Sequence, residues 1–269
     1  MADGDVLLEV RDVSERLGNH QVLAKLTFDV RDRVRPGKIT GQLVALLGPS
    51  GVGKTRLLRL IAGLDRPDTG VVLGPKSQPI ASGTVGVVFQ NYILLRHRTV
   101  MGNLVTAGVA NGMARGEARD KSSHLLERFG LADRGSYYPA QLSGGQRQRV
   151  AIAQQLVHQK TLLLMDEPFS GLDPAALDDV IKLIVEVAHM DELNTVIIVT
   201  HDIRAAMLVS DTLLMLGRDR APDGKPIPGA HIQDSYNMVE RGMAWRTDLE
   251  LDPKFPALER EIKDRFRTL

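Results

Sequence analysis

The sequence predicts an α/β protein in which helices cover both faces of a parallel β-sheet. Short apolar runs alternate with stretches of helical periodicity along most of the 269 residues. Runs that are apolar on both faces suit the central strands of such a sheet. The predicted strands are Gln42 to Leu47, Thr84 to Phe89, Thr161 to Met165, Thr195 to Thr200 and Thr212 to Leu216.

Two regions depart from this alternation. The opening segment, Leu7 to Val34, has the apolar–polar alternation of strands and predicts a small antiparallel sheet. Between Asn91 and Gln155 the strand signals disappear, and Gly116 to Phe129 and Gln146 to Val157 are predicted helices. The pattern therefore predicts a helical insertion in the α/β core.

The last part of the chain begins with a stretch rich in proline and glycine, Arg218 to Ala230, which predicts a loop. An apolar stripe at helical spacing follows at Phe255, Leu258, Ile262 and Phe266. We expect a terminal helix that docks on the core, rather than a regulatory or partner-binding tail. The pairs Glu259–Lys263 and Glu261–Arg265 are predicted to support its exposed side.

Charge and composition exclude several function classes. The net charge of +1 creates no strong field that would recruit nucleic acid. With no cysteine, neither a disulfide nor a thiolate site can form. No apolar run is long enough to cross a bilayer, and the first residues lack the pattern of a signal peptide. We expect a cytoplasmic protein whose membrane role, if it has one, comes through a partner.

The strongest motif is a complete G-x-x-x-x-G-K-T placed between a predicted strand and a predicted helix. Its glycines allow the backbone N–H groups to face phosphate oxygens, and the helix adds its positive end. We expect Lys54 to reach the β- and γ-phosphates of a nucleotide and the Thr55 hydroxyl to bind Mg²⁺. The motif consists of Gly48, Pro49, Ser50, Gly51, Val52, Gly53, Lys54 and Thr55.

A second motif ends the predicted strand at Thr161 to Met165 with two acids, Asp166 and Glu167. Ligands of α/β sheets bind at the carboxyl ends of the strands. Asp166 suits the Mg²⁺ shell through water, and Glu167 is placed to act as general base on the attacking water. The alternative, a solvated acidic turn, is disfavoured beside an intact phosphate-binding loop.

The third motif is Leu142-Ser-Gly-Gly-Gln146, and it resembles the signature motif of ABC ATPases. Ser143 followed three residues later by Gln146 matches a capping box. Gly144 and Gly145 leave the helix start open to a phosphate. A plain capped helix remains the alternative for this motif in isolation.

The ABC resemblance implies a P-loop NTPase (RecA-like) core with an N-terminal antiparallel β subdomain and an inserted α-helical subdomain. We expect residues 1–90 and 156–216 to form the core with its β subdomain, 91–155 the helical subdomain and 217–269 a C-terminal extension. It also implies a homodimer with two ATP molecules at the interface, in which Ser143 and Gly145 contact the γ-phosphate bound by the partner.

Other positions match the family in order. Gln90 resembles the glutamine that senses the γ-phosphate and magnesium, which gives an expected magnesium set of Thr55, Gln90 and Asp166. Asp173, in Ser170-Gly-Leu-Asp173, resembles the residue that crosses the dimer interface. His201 resembles the switch histidine that contacts the γ-phosphate.

The sequence departs from the family at two nucleotide positions. Leu17 stands where the family has an aromatic residue that stacks on adenine, so we expect weak discrimination between ATP and other nucleoside triphosphates. His20 is a candidate substitute for that aromatic residue. Arg56 replaces a hydroxyl residue near the α-phosphate, and the sequence leaves open whether it contacts the nucleotide or points away. Residues 31–40 resemble an insertion, which we expect to be a solvated hairpin.

Two stretches, Tyr138 to Ala153 and Asp166 to Pro174, resemble the ATP-binding subunits of nitrate, sulfonate and taurine importers. The resemblance implies permease subunits, an extracytoplasmic binding protein and a place at the cytoplasmic face of the cell membrane. One alternative is a non-transport ABC ATPase of translation or DNA repair, which usually has two nucleotide domains or a long coiled coil. Another is a nucleotide-gated regulatory module, against which the intact Glu167 argues.

Overall fold

A computed structural model describes residues 4–32, 41–158, 160, 162–190, 195–244, 246 and 248–269. Most of the predicted insertion at 31–40 falls on residues 33–40, which lie outside the described residues.

The fold alternates strands and helices, with the predicted helical stretch in the middle. The strands are β1 (Val6–Leu17), β2 (His20–Arg31), β3 (Gln42–Leu47), β4 (Thr69–Leu73), β5 (Gly86–Val88), β6 (Leu162–Asp166), β7 (Thr195–Thr200), β8 (Thr212–Gly217) and β9 (His231–Asn237). The helices are α1 (Lys54–Ile61), α2 (Val100–Ala110), α3 (Arg115–Arg128), α4 (Gly144–Leu156), α5 (Pro174–Ala188), α6 (Ile203–Val209) and α7 (Phe255–Phe266).

The main sheet has six strands in the order β5-β6-β7-β3-β8-β9, and all neighbours are parallel except β8 and β9. Every residue of β3, β6 and β7 is buried, which explains why these strands are apolar on both faces. The predicted parallel sheet is therefore confirmed, and its five predicted strands lie close to their predicted bounds.

The small sheet has the order β2-β1-β4 and is antiparallel throughout. Its alternating apolar residues, among them Leu26 and Phe28, are buried against the core, as the pattern predicts. The sequence analysis missed β4, because this short strand carries three exposed residues at its start and shows little alternation.

The stretch between the two halves of the main sheet is helical, as predicted, but it holds α2 in addition to α3 and α4. The sequence analysis missed α2 because small and apolar residues are spread around the whole helix, so no apolar stripe marks one face. Its start is fixed by the Thr99 hydroxyl, which accepts from the Gly102 amide at 3.1 Å.

The last part of the chain packs on the main sheet. Strand β9, also missed, extends the sheet beyond β8, and Phe255, Leu258 and Ile262 of α7 are buried in a shared apolar cluster. The Glu259–Lys263 pair forms at 2.7 Å, as predicted.

The second predicted pair on α7 is wrong. Arg265 pairs with Asp234 of β9 instead, and Glu261 pairs with Arg241. Tertiary partners thus replace the i,i+4 partner within the helix.

Among the described residues, no helix is long and apolar enough to cross a membrane.

Candidate active site

The site lies at the carboxyl edge of the main sheet, where all five parallel strands end. The phosphate-binding loop follows β3 and leads into α1 at Lys54. The other predicted residues follow the neighbouring strands: Gln90 after β5, Asp166 and Glu167 at the end of β6, and His201 after β7. Parallel pairing brings these ends together, although they are far apart in sequence.

The loop has the backbone that a phosphate cradle requires. Gly51 and Gly53 have φ values of 77° and 120°, which side-chain-bearing residues rarely adopt. Space around Gly51 is open, since no atom of the described residues would lie within 4 Å of an added Cβ. Gly48 is different, because a Cβ there would come within 2.6 Å of the Leu216 carbonyl oxygen on β8. Gly48 therefore permits the loop to pack closely against β8, and Gly51 and Gly53 shape the loop.

Lys54 is buried, and its ammonium group lies across the loop. Its Nζ donates to the carbonyl oxygens of Gly48 at 2.8 Å and Pro49 at 3.2 Å, and it lies 3.3 Å from Glu167 Oε1. The positive charge is thus positioned between the loop and the acid that follows β6. A bound phosphate would be attracted to the same position.

Thr55 and Asp166 meet as the magnesium prediction requires. The Thr55 hydroxyl donates to Asp166 Oδ2 at 3.1 Å. Burial raises the pKa of the Asp166 carboxyl, and the neighbouring Glu167 acts in the same direction, while the hydrogen bond from Thr55 opposes them. A divalent cation beside this buried carboxylate would favour its charged form.

These residues fit Mg²⁺, although no group of three or more His, Cys, Asp or Glu able to hold a metal occurs among the described residues. Mg²⁺ at a nucleotide site needs only one or two protein ligands, because phosphates and water complete its shell. A hydroxyl and a carboxylate beside a phosphate cradle are such a set.

Glu167 has a left-handed backbone with φ of 48°, which is unusual for a residue with a side chain. Its amide donates to the Val199 carbonyl on β7 at 2.8 Å, and this bond fixes the turn after β6. A strained backbone at a strand end is typical of functional sites.

The Glu167 carboxylate connects the ends of β6 and β7. Its Oε2 lies 2.9 Å from His201 Nδ1 and accepts from the Thr200 hydroxyl at 3.2 Å. The structure therefore brings together Glu167, His201 and Lys54, three of the predicted residues. Thr200 was not predicted, and only the register of β7 beside β6 shows its contact.

Gln90 lies at the edge of the same site. Its Nε2 donates to the Ser170 hydroxyl at 3.3 Å, and with Asp166 it lines a cavity of about 460 Å³. Two of the three predicted magnesium residues, Gln90 and Asp166, thus line the same cavity.

The signature motif forms the predicted capping box. The Ser143 hydroxyl accepts from the Gln146 amide at 3.3 Å, and the Gln146 side chain accepts from the Ser143 amide at 3.0 Å. Helix α4 begins at Gly144, two residues before the predicted start. Gly144 and Gly145 are exposed, with open space where their Cβ atoms would lie.

Within the described residues, no hydrogen bond or ion pair joins this motif to the phosphate-binding loop of the same chain. Asp173 is likewise engaged locally, since its carboxylate accepts from the Ala176 amide at 3.0 Å and caps α5. These two motifs present their open faces to solvent in the single chain.

Leu17 and His20 face each other across the tip of the β1–β2 hairpin, and both are exposed. A Cβ on Gly53 would come within 3.0 Å of Val22 Cγ1, so β2 packs against the phosphate-binding loop just behind this tip. The hairpin thus stands beside the loop, but neither candidate for the base contact is selected over the other.

Arg56 has protein partners in the structure. Its guanidinium is paired with Glu15 on β1 and with Asp65 after α1, at 3.0 Å for Asp65. Those carboxylates hold the guanidinium beside the small sheet, and a contact between Arg56 and the nucleotide stays a prediction.

Arg218 is a further residue of the site that the sequence analysis missed. Arg218, directly after β8, donates from Nη2 to the Gly51 carbonyl oxygen at 3.0 Å and so supports the loop. The available signal was its position directly after a predicted strand. Because β8 lies parallel to and beside β3, a residue after β8 lies close to the loop that follows β3.

A cradle for phosphate, a hydroxyl–carboxylate pair for a cation and a strained glutamate beside a histidine define a P-loop ATPase. Comparison with known proteins gives the family. The ABC transporter family matches residues 38–170. The sulfate/thiosulfate import ATP-binding protein CysA of Gloeobacter violaceus is 40% identical over 262 residues, which cover 95% of this chain and 73% of that protein. The chain therefore belongs to the ATP-binding subunits of ABC transporters, which hydrolyse ATP to power transport.

Two further comparisons agree with this assignment. The aliphatic sulfonates import ATP-binding protein SsuB 1 of Burkholderia lata is 37% identical over 83% of this chain and 65% of its own length. The solved structure of cbiO1 from Clostridium perfringens, part of the ABC transporter complex cbiONQ, has a TM-score of 0.73 at 24% identity, covers 96% of this chain and 99% of its own, and supports the fold. The chain spans less than two thirds of several relatives, such as 61% of CysA from Thermosynechococcus vestitus.

Proposed function

We propose that the chain is the MgATP-hydrolysing subunit of an ABC importer for a small sulfur oxoanion. The observation that carries the ATPase part is the convergence of Lys54, Asp166, Glu167 and His201 at the ends of three adjacent strands. The substrate class rests on relatives named for the import of sulfate, thiosulfate and aliphatic sulfonates. The sulfonate part of the sequence-based expectation is thereby supported, while nitrate and taurine have no support of their own.

Each side chain has a role that follows from its contacts. Backbone N–H groups of the loop and Lys54 would bind the phosphates, and Thr55 and Asp166 would hold Mg²⁺, which neutralises phosphate charge when bound. Glu167 would accept the proton of the attacking water. His201 and Thr200, both bonded to Glu167, would orient its carboxylate.

The site is completed by a second copy of the chain. Among the described residues, the open faces at Ser143 and Asp173 have no bonded contact with the chain's own phosphate-binding loop, whereas a helix start suits the γ-phosphate held by a partner. We propose a two-fold homodimer in which each signature helix faces the partner's loop. Within this arrangement Gln90 would report the state of the γ-phosphate to neighbouring subunits.

Transport requires further subunits. We propose that the dimer binds integral-membrane permease subunits at the cytoplasmic face of the membrane and works with an extracytoplasmic binding protein. We retain 1–90 with 156–216, 91–155 and 217–269 as the proposed subdomain boundaries. The most direct test of the partners is co-purification with membrane proteins encoded beside this chain; recovery with ribosomes or DNA instead would reject the importer.

The ATPase itself is tested by phosphate release under MgATP. Lys54→Ala should raise the Kd for ATP by about a hundredfold or more, since a buried charge on the phosphates is lost. Glu167→Gln should keep ATP affinity within about threefold, reduce turnover by roughly 10²–10⁴-fold and accumulate a dimer with bound ATP. Unchanged ATP binding by Lys54→Ala would remove the phosphate cradle from this proposal.

A further inference from the structure

The residue after the phosphate-binding motif forms an ion pair that the proposed ATPase chemistry does not use. Arg56, the third residue of α1 in chain order, donates from Nε to Glu15 Oε2 at 3.2 Å and from Nη2 to Glu15 Oε1. This bidentate geometry is the strong and directional form of an arginine–carboxylate pair. Glu15 lies on β1, two residues before Leu17 at the hairpin tip.

The pair is buried on its acidic side. Glu15 is only 3% exposed, so without Arg56 its charge would remain in the interior uncompensated. Two residues of strand span about 7 Å, and the residues in contact with Arg56 are therefore close to the hairpin tip. The pair is therefore placed where it can affect that tip.

A neighbouring turn ties the same parts together. Asp65, in the turn after α1, pairs with Arg56 at 3.0 Å, and the Asp68 carboxylate accepts from the Arg16 amide at 2.7 Å. Arg16 lies between Glu15 and Leu17. Helix α1 and the turn that follows it are thus connected to β1 at Glu15 and Arg16, and this helix begins with the residues that hold the phosphates.

We infer that Arg56 and Glu15 are positioning residues for the nucleoside half of ATP: their ion pair fixes the β1–β2 tip, with Leu17 and His20, beside the phosphate-binding loop. The inference rests on the proposed ATP site. It assigns Arg56 to the base-contacting hairpin and not to the phosphates. A preorganised tip lowers the cost of ordering that surface when nucleotide binds.

The test compares two ligands that share the phosphates and differ in the nucleoside. Calorimetry would measure the Kd of MgATP and of magnesium tripolyphosphate for the wild type, Arg56→Thr, Arg56→Lys and Glu15→Gln. We expect Arg56→Thr and Glu15→Gln to weaken MgATP by roughly tenfold, since the tip loses its preorganisation. Tripolyphosphate affinity should stay within about twofold, and Arg56→Lys should recover part of the loss for MgATP.

Arg11→Thr is the matched control, because Arg11 pairs with Glu9 on the same strand but on the exposed surface. It should leave both affinities unchanged. Equal losses for the two ligands in Arg56→Thr would overturn the inference, since they would indicate a phosphate contact or a general disturbance of the fold. Unchanged MgATP affinity would overturn it as well. If the wild type binds neither ligand, the proposed function fails first.

Discussion

At the scale of single residues, the site is defined by which charges are buried and what they contact. Lys54, Asp166 and Glu167 are held at the strand ends with little exposure to solvent, so each charge depends on its neighbours. Burial there raises the pKa of Asp166. Such a buried acid costs stability in the free protein but binds a cation well.

Asp166→Asn tests this balance. An aspartate in the unfolded chain ionises near pH 3.9. The folded pKa is raised, so the folded state binds more protons and the wild type loses stability as pH rises through that window. The variant should therefore gain free energy of unfolding relative to the wild type at pH 7–8, and this gain should shrink toward pH 4.

Urea denaturation between pH 4 and pH 8 measures the effect, with Asp120→Asn on the exposed surface of α3 as control. Magnesium-dependent ATP hydrolysis should fall in Asp166→Asn by about a hundredfold or more. A variant less stable than the wild type at pH 8 would contradict the electrostatic account.

Leu17→Tyr tests the base contact at the hairpin tip. Leu17 is 47% exposed, so an aromatic ring can be accommodated there without repacking the core. A ring that stacks on adenine adds about 0.5–1.5 kcal/mol, which is roughly 2–13-fold in ATP affinity. Nucleotide titration should show that gain, and a parallel His20→Ala variant shows whether His20 supplies the contact instead. A wild type that prefers ATP over GTP by more than about a hundredfold would reject the weak discrimination predicted from Leu17.

At the scale of elements, the phosphate-binding loop is supported from two sides that the sequence does not connect to it. The β1–β2 hairpin packs on Gly53, and Arg218 after β8 donates to Gly51. The elements at the chain's end in turn pack on β8 through β9 and α7. The loop's shape is thus shared among elements far apart in sequence.

Leu258→Ala tests how firmly α7 is part of the fold. Leu258 is 5% exposed in the cluster beneath α7, so its truncation should lower the free energy of unfolding by about 2–5 kcal/mol. Leu251→Ala makes the same chemical change at a residue that is 84% exposed, and it should stay within about 0.5 kcal/mol of the wild type. Equal stability of the two variants in chemical denaturation would show that α7 does not contribute to the core.

At the scale of the whole molecule, the described part of the single chain keeps the phosphate-binding loop and the signature motif apart. The phosphate-binding loop and the acids lie at one edge of the main sheet, whereas the capped start of α4 has no bonded contact with that loop within the described residues. Two chains related by a two-fold axis would pair each half with its counterpart.

Mixed dimers test this arrangement. Ser143→Arg should block turnover while leaving ATP binding by its own loop intact, and Lys54→Ala should block it through the loop. A dimer that contains one chain of each variant has one site in which both halves are unmodified. If chains pair at random and the sites act independently, an equal mixture of the two inactive proteins should therefore recover about a quarter of wild-type turnover. The measurement is phosphate release against mixing ratio, with each variant alone as control. No recovery at any ratio would mean either that the site is not shared between two chains or that the two sites of a dimer do not act independently. An ATP-dependent dimer of Glu167→Gln separates these two cases, because only a shared site requires it.

The sequence alone determined the features that depend on local pattern. Apolar runs fixed the central strands, the spacing of Ser143 and Gln146 predicted the capping box, and the G-x-x-x-x-G-K-T motif marked the loop. These succeed because periodicity, capping and glycine-dependent turns act over a few residues. The resemblance to ABC ATPases then implied the family, which the comparisons confirm.

Only the tertiary structure decided which distant side chains meet. In the folded chain Arg56 pairs with Glu15 and Asp65, and Arg265 pairs with Asp234. Arg218 donates a hydrogen bond to the backbone of the phosphate-binding loop. Long arginine side chains reach partners on other elements, and those partners are set by strand order and packing, which no local pattern encodes. The same reason explains why β9 and Thr200 were missed: each acquires its role from the strand beside it.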